Sequence, residues 1–162
     1  MKNATTPRTY QPVTDYSLRS YKEHRELSEE TKAFTAKLYR GDVHVGDVRN
    51  DGQGGAPMVR LNTREETIAF RNTIKDLPEG RFPESMGGGT FTRGEESFVD
   101  ILVAETEAFK HAKKYFTLIH EDEDIEDGFS TVKLGRSKMK ADDPRVAEYL
   151  ANNPEYIQIL PR

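Results

Sequence analysis

Two glycine-rich segments hold the side chains and backbone groups best suited to binding a ligand or partner. The first, Arg49, Asn50, Asp51, Gly52, Gln53, Gly54 and Gly55, follows a strand-like run. Successive backbone N–H groups in such a turn can form a nest that cradles a phosphate, with Arg49 or the nearby Arg60 as counter-charge. The segment lacks the Gly-x-x-x-x-Gly-Lys-Ser/Thr pattern and no strand–helix–strand unit surrounds it. An ordered hairpin connection is therefore the plainer reading, and the Asp51-Gly52 step suits a turn that needs a positive φ. The second segment, Gly87, Gly88, Gly89, Thr90, Thr92 and Arg93, precedes a helix, where phosphate-binding loops also lie. Here Glu95 and Glu96 occupy the positive end of that helix and would repel an anion. A mobile flap is the plainer reading of this segment. Both segments stand as candidate ligand- or partner-binding surfaces.

The other charged clusters give weaker signals. The acidic run from Glu121 to Asp127 fails as an EF-hand loop, because Gly128 falls one place late and Lys133 stands where the closing glutamate belongs. It reads as a solvated loop, with a weak cation site or mimicry of a phosphate backbone as alternatives. Lys133, Arg136, Lys138 and Lys140 form a basic connector that could meet phosphates or pair with the acidic run beside it. With no aromatics interleaved, nucleic-acid binding ranks below the structural reading. His24, His44, His111 and His120 have no metal-ligand spacing. His24 and His44 could meet only if the N-terminal segment folds back. No nucleophile elbow or pair of catalytic carboxylates can be picked out. No catalytic residue, metal ligand or cofactor is assigned.

Hydrophobic periodicity predicts the secondary structure around these residues. Residues 1–19 are polar, carry Pro7 and Pro12, and read as an extended or flexible arm; residues 20–162 read as one domain. Phe34, Ala36 and Leu38 alternate with Thr35, Lys37 and Tyr39, the period of a half-buried strand. After the Arg40-Gly41-Asp42 turn, Val43 and Val45 begin the return strand. Val48 falls in the wrong phase, and a bulge at Gly46 restores it to the core face. Residues 57–61 supply a third strand. Asn62 and Thr63, each with a glutamate three residues on, start a helix that Pro78 and Gly80 stop. A longer helix is predicted over residues 95–115, with Phe98, Ile101, Leu102, Ala108, Phe109, Ala112 and Phe116 on one face. Strands are expected near 115–120, 129–134 and 156–160, and a closing helix after Asp143-Pro144. The predicted class is α+β: an antiparallel sheet, begun by a three-stranded meander and joined by one or two C-terminal strands, packed against two to three helices.

Composition narrows the function classes. The formal net charge is -4, so no global basic field draws in duplex DNA or an anionic membrane. The chain has no cysteine, which excludes disulfides, thiol nucleophiles and Cys-ligated zinc. Neither an apolar leader nor a spanning apolar stretch is evident, so the expectation is a soluble, cytoplasmic protein.

Three pieces of the N-terminal half carry a resemblance. Glu23-His-Arg-Glu-Leu-Ser-Glu-Glu-Thr31, then Phe34-Thr-Ala-Lys-Leu-Tyr39, then Val45-Gly-Asp-Val-Arg-Asn-Asp-Gly-Gln-Gly-Gly55 resemble small uncharacterised proteins encoded by bacteriophages. The resemblance covers residues 23–55. Where those sequences often carry a cysteine after the glycine pair, Ala56 stands here. It implies a viral protein in the host cytoplasm, and no catalytic residue is carried over. The leading expectation is a non-enzymatic accessory protein that binds a host protein, such as a defence factor, through exposed glycine-rich loops. The alternative is a nucleotide- or phosphate-binding module, including a signal-sequestering homo-oligomer. An enzyme ranks third, and nucleic acid is the less favoured partner.

Overall fold

The computed structural model describes residues 7–162. The first six residues of the expected arm lie outside the described residues. Two compact units divide the described residues: residues 13–106, and residues 107–162 together with residues 7–12. The boundary falls within a helix, after Thr106.

The first unit is built on a four-stranded antiparallel meander. Its strands are β1 (Tyr16–Glu23), β2 (Phe34–Arg40), β3 (Val43–Asn50) and β4 (Met58–Leu61), in that spatial order. The sequence predicts only three of these, placing residues 16–19 in the arm. Two bulges set the sheet's phase. In β1 the pairing slips between Arg19 and Lys22, so that Ser20 and Tyr21 together oppose Ala36. The slip turns Tyr21 inward against Phe34, at 5.3 Å between ring centroids, and leaves Ser20 outside with φ 53. A non-glycine residue at positive φ is strained by about 1–2 kcal/mol. In β3 the pairing slips where Leu38 faces Gly46 and Tyr39 faces His44. Val45 and Val48 are both buried as a result, as the predicted bulge requires, while Val43 is exposed. Gly46 must be glycine, because a Cβ there would run into the Arg60 carbonyl of β4.

The inner face of the meander meets helix α1 (Arg64–Lys75). Thr63 caps α1 by accepting a hydrogen bond from the Glu66 N–H at 3.1 Å, half of the predicted capping box. A short hairpin follows, β5 (Gly80–Arg81) with β6 (Thr90–Phe91), and then α2 (Glu95–Ala112). Phe98, Val99 and Leu102 of α2 join Tyr16, Leu18, Leu38, Val45, Val48 and Phe70 in one core. Tyr16, Phe70 and Phe98 form its aromatic centre, with centroids 5.4, 5.9 and 5.2 Å apart and two of the three contacts edge-to-face.

The second unit holds a three-stranded antiparallel sheet. Its strands are β7 (Thr117–His120) and β8 (Ser130–Thr131), with the C-terminal strand over Tyr156–Ile159 on the other side of β7. A two-residue hairpin, β9 (Lys133–Leu134) with β10 (Ser137–Lys138), precedes α3 (Val146–Asn152), and the closing strand is β11. Phe116, Leu118, Met139 and Leu150 form its core. Residues 8–10 run beside β11: the Tyr10 N–H donates to Gln158, and Gln158 returns a bond to Arg8. The C-terminal strands thus form a sheet of their own instead of extending the meander. The α+β class holds, with three helices and antiparallel sheets.

Candidate functional site: the outer face of the meander

The first glycine segment is a structural joint. Asn50 Oδ1 accepts from the Gly52 N–H at 2.8 Å and from Thr31 Oγ1 at 3.0 Å, while Asn50 Nδ2 donates to the Gly55 carbonyl. Asp51 accepts from the Gln53 N–H, and Thr31 Oγ1 accepts from the Gly54 N–H. The N–H groups of Gly52, Gln53 and Gly54 that could have cradled a phosphate are therefore engaged. A nest does form, but in the partner segment: the N–H groups of Glu29, Glu30 and Thr31 all point to the Gly52 carbonyl, at 3.2, 3.0 and 3.3 Å. Gly52 is buried at φ 82, and a Cβ there would strike the Leu27 carbonyl. The Leu27–Thr31 and Asn50–Gly55 pieces of the sequence pattern thus meet in space. Asp51, Gln53, Gly54 and Gly55 remain exposed at the rim.

The second segment is a hairpin tip. Gly87, Gly88 and Gly89 all have positive φ. The Gly87 N–H bonds to Glu84, Gly88 to Pro83, and the Gly89 carbonyl accepts from Phe82. Arg93 is only 8% exposed and works inward: it donates to the Pro78 carbonyl at 3.2 Å and contacts Ser97 Oγ at 3.4 Å. Thr90 and Thr92 are exposed. Phe82 packs on Phe91 at 4.9 Å yet stays exposed, as does Met86. Of the three arginines considered for a phosphate, Arg93 is thus tied into the fold.

Arg49 and Arg60 do come together, on a surface set by strand register. Two rows of residues cross all four strands on the face turned away from the helices. One runs Arg19, Lys37, Asp47, Arg60; the other runs Lys22, Thr35, Arg49, Met58. All eight are exposed, while Leu18, Ala36 and Val48 beneath them are buried. The rows hold five cations against one carboxylate, Asp47, in a chain whose net charge is -4. Arg19 is partly committed, lying 4.2 Å over the Tyr39 ring and pairing with Asp42 at 2.8 Å. Among the described residues Lys22, Lys37, Arg49 and Arg60 form no ion pair. A concavity of about 520 Å³ opens on this face, lined by the strained Ser20, by Thr35 and Lys37, by Asp47 and Arg49, and by Met58 and Arg60. Its size falls within the range of ligand pockets. Ser20, with its positive φ, sits at the edge of this concavity.

The histidines stay apart. His24 bonds Thr35 Oγ1 at 3.1 Å, and His44 sits opposite Tyr39, bonding the Gly46 carbonyl at 2.7 Å and Asp47 at 3.2 Å. Four residues of β2 separate those two places, roughly 13 Å at strand rise. His120 packs on Tyr156, and His111 lies within hydrogen-bond reach of Thr117 and Thr131. In the acidic run Glu121 pairs with Arg8 at 2.7 Å, and the buried Ile125 anchors the turn. Among the described residues no group of three or more His, Asp or Glu could hold a metal ion. No helix among them is long and apolar enough to cross a membrane.

What sequence reasoning missed here was Lys22 and Lys37 as partners of Arg49 and Arg60. The alternation along β2 and β3 marks each residue as outward, but only the bulges at Ser20 and Gly46 tell which outward residues share a row. No protein-family model, curated protein or solved structure matches the chain.

Proposed function

We propose that this is a non-enzymatic binding protein, an accessory protein of phage origin acting in the host cytoplasm, whose outer sheet face seats an acidic surface of a host protein. One observation carries the reading: five cations and a single carboxylate lie in register on an uncovered sheet face of a net-acidic chain. Complementary charge speeds encounter and selects partners, and it leaves a strong dependence on salt. The first glycine segment serves as a strut at the end of the sheet, and Phe82 and Met86 add an exposed apolar tip to the same unit.

A second reading has its own support. The concavity lined by Lys37, Arg49 and Arg60 has room for a phosphate-bearing small ligand such as a nucleotide, held as a monomer or across a homo-oligomer. The two readings separate in one experiment. Cross-linking in host lysate with the wild type and with a Lys37→Glu/Arg49→Glu/Arg60→Glu variant is followed by reconstitution with the purified partner. The first reading expects one partner, cross-linked through an acidic segment, whose affinity falls with salt and is lost in the variant. A nucleotide panel that raises the melting temperature of the wild type and not of the variant supports the second reading. A partner that binds both forms equally removes the sheet face from the account.

A further inference from the structure

The second unit carries a different cationic cluster, one assembled around a single phenol. Lys114 follows the last turn of α2, where a cation complements the helix dipole, and this alone accounts for Lys114. Lys138 and Lys140 arrive from elsewhere. Met139 between them is buried, which turns its two neighbours outward on one face. The backbone then sets this segment beside the end of α2. The Phe116 N–H donates to Met139, the Ala141 N–H donates to Lys114, and Tyr115 pairs with Lys140 as an antiparallel bridge. The three ammonium groups lie 5.2, 5.1 and 5.2 Å from the centre of the Tyr115 ring.

Three like charges crowded on one ring repel each other, and the cost falls when an anion joins them. The adjacent acidic run does not supply it: Glu121 turns to Arg8, and among the described residues no ion pair engages Lys114, Lys138 or Lys140. Their field is felt by both neighbouring titratable rings. The Lys114 hydrogen bond, with Lys140 and Lys138 behind it, lowers the Tyr115 pKa. Burial, and then Lys138, lowers that of His111, whose ring packs between Tyr115 and Phe129 at 5.0 and 4.8 Å.

We propose that Tyr115, Lys114, Lys138 and Lys140 form a binding site for a compact polyphosphate anion, such as the triphosphate chain of a nucleotide. Three converging ammoniums match the several charges of such a chain, and the phenol adds a hydrogen-bond donor at their centre. A single-stranded nucleic acid is the weaker fit, because the lysines already crowd the ring on which a base would stack. The site belongs to the second unit and does not rest on the reading of the sheet face.

The full-length protein is titrated with tripolyphosphate and with ATP, using calorimetry and the His111 imidazole resonances. The expected result is saturable binding of one anion per chain, weakened about tenfold in Lys138→Ala/Lys140→Ala and unchanged in Lys75→Ala, a surface control on α1. Bound anion neutralises Lys138, so the His111 pKa rises on saturation. Equal affinity for both probes assigns recognition to the phosphate chain, and tighter ATP adds a contact to the nucleoside; either supports the site. Absence of saturable binding, equal affinity in the double variant, or an unmoved His111 overturns it. So does binding of oligothymidylate that strengthens with length and is not displaced by tripolyphosphate.

Discussion

The two faces of the meander are made by the same four strands and obey opposite rules. On the inner face Leu18, Ala36, Leu38, Val45 and Val48 are nearly inaccessible and share one core with Phe70 of α1 and with Phe98, Val99 and Leu102 of α2. On the outer face, one residue away along each strand, Arg19, Lys37, Arg49 and Arg60 are exposed, and no helix of this unit's core packs over them. Burial disciplines the first face, since each side chain removed there leaves a cavity. The second is free of that constraint, so its charge pattern is not dictated by packing. Like charges on one face cost some stability through mutual repulsion.

The effects of substitutions on the two faces are expected to differ in size. The largest expected effect is on the inner side. Phe98→Ala empties the centre of the aromatic cluster and should cost about 3–5 kcal/mol in denaturant unfolding. A loss below about 1 kcal/mol there would mean that α2 is not needed to hold the sheet. Next comes the joint at the sheet's end. Gly52→Ala combines a positive φ with a collision against Leu27, and should cost about 2 kcal/mol and free the 28–31 segment to exchange amide hydrogens. Ser20→Gly tests the outer rim in the opposite direction. Relief of the left-handed strain should raise stability by up to about 1 kcal/mol, and a partner that needs the bulge as it stands should bind no better. The smallest effect on folding belongs to the outer face. Lys37→Glu with Arg49→Glu should shift the unfolding free energy by no more than about 0.5 kcal/mol.

The inner face was legible in the sequence and the outer only in part, for a physical reason. Period-two alternation gives β2 directly, and the misplaced Val48 even reveals the bulge at Gly46. The same device hides β1: the slip at Ser20 and Tyr21 interrupts the alternation of Tyr16 and Leu18, so the run looks aperiodic and reads as an arm. Rows across strands depend on register, and register here depends on both bulges, which is why Lys22 and Lys37 were not joined to Arg49 and Arg60. The glycine segments misled in a different way. Composition shows that the backbone there can turn and can offer N–H groups. It does not show that Asn50, Asp51 and Thr31 accept those groups, since that needs the 28–31 segment folded against them. Tyr115 illustrates the same limit, because a two-residue hairpin brings it Lys138 and Lys140 from more than twenty positions away.

The outer sheet face is proposed as a surface for an acidic partner. The most direct measurement is the affinity of the reconstituted host partner for the wild type and for Lys37→Glu/Arg49→Glu/Arg60→Glu, across a salt series, with folding of both forms checked by unfolding. The account predicts binding that weakens steadily with salt in the wild type and disappears in a variant that is still folded. Undiminished binding by that folded variant, or wild-type affinity indifferent to salt, would contradict it.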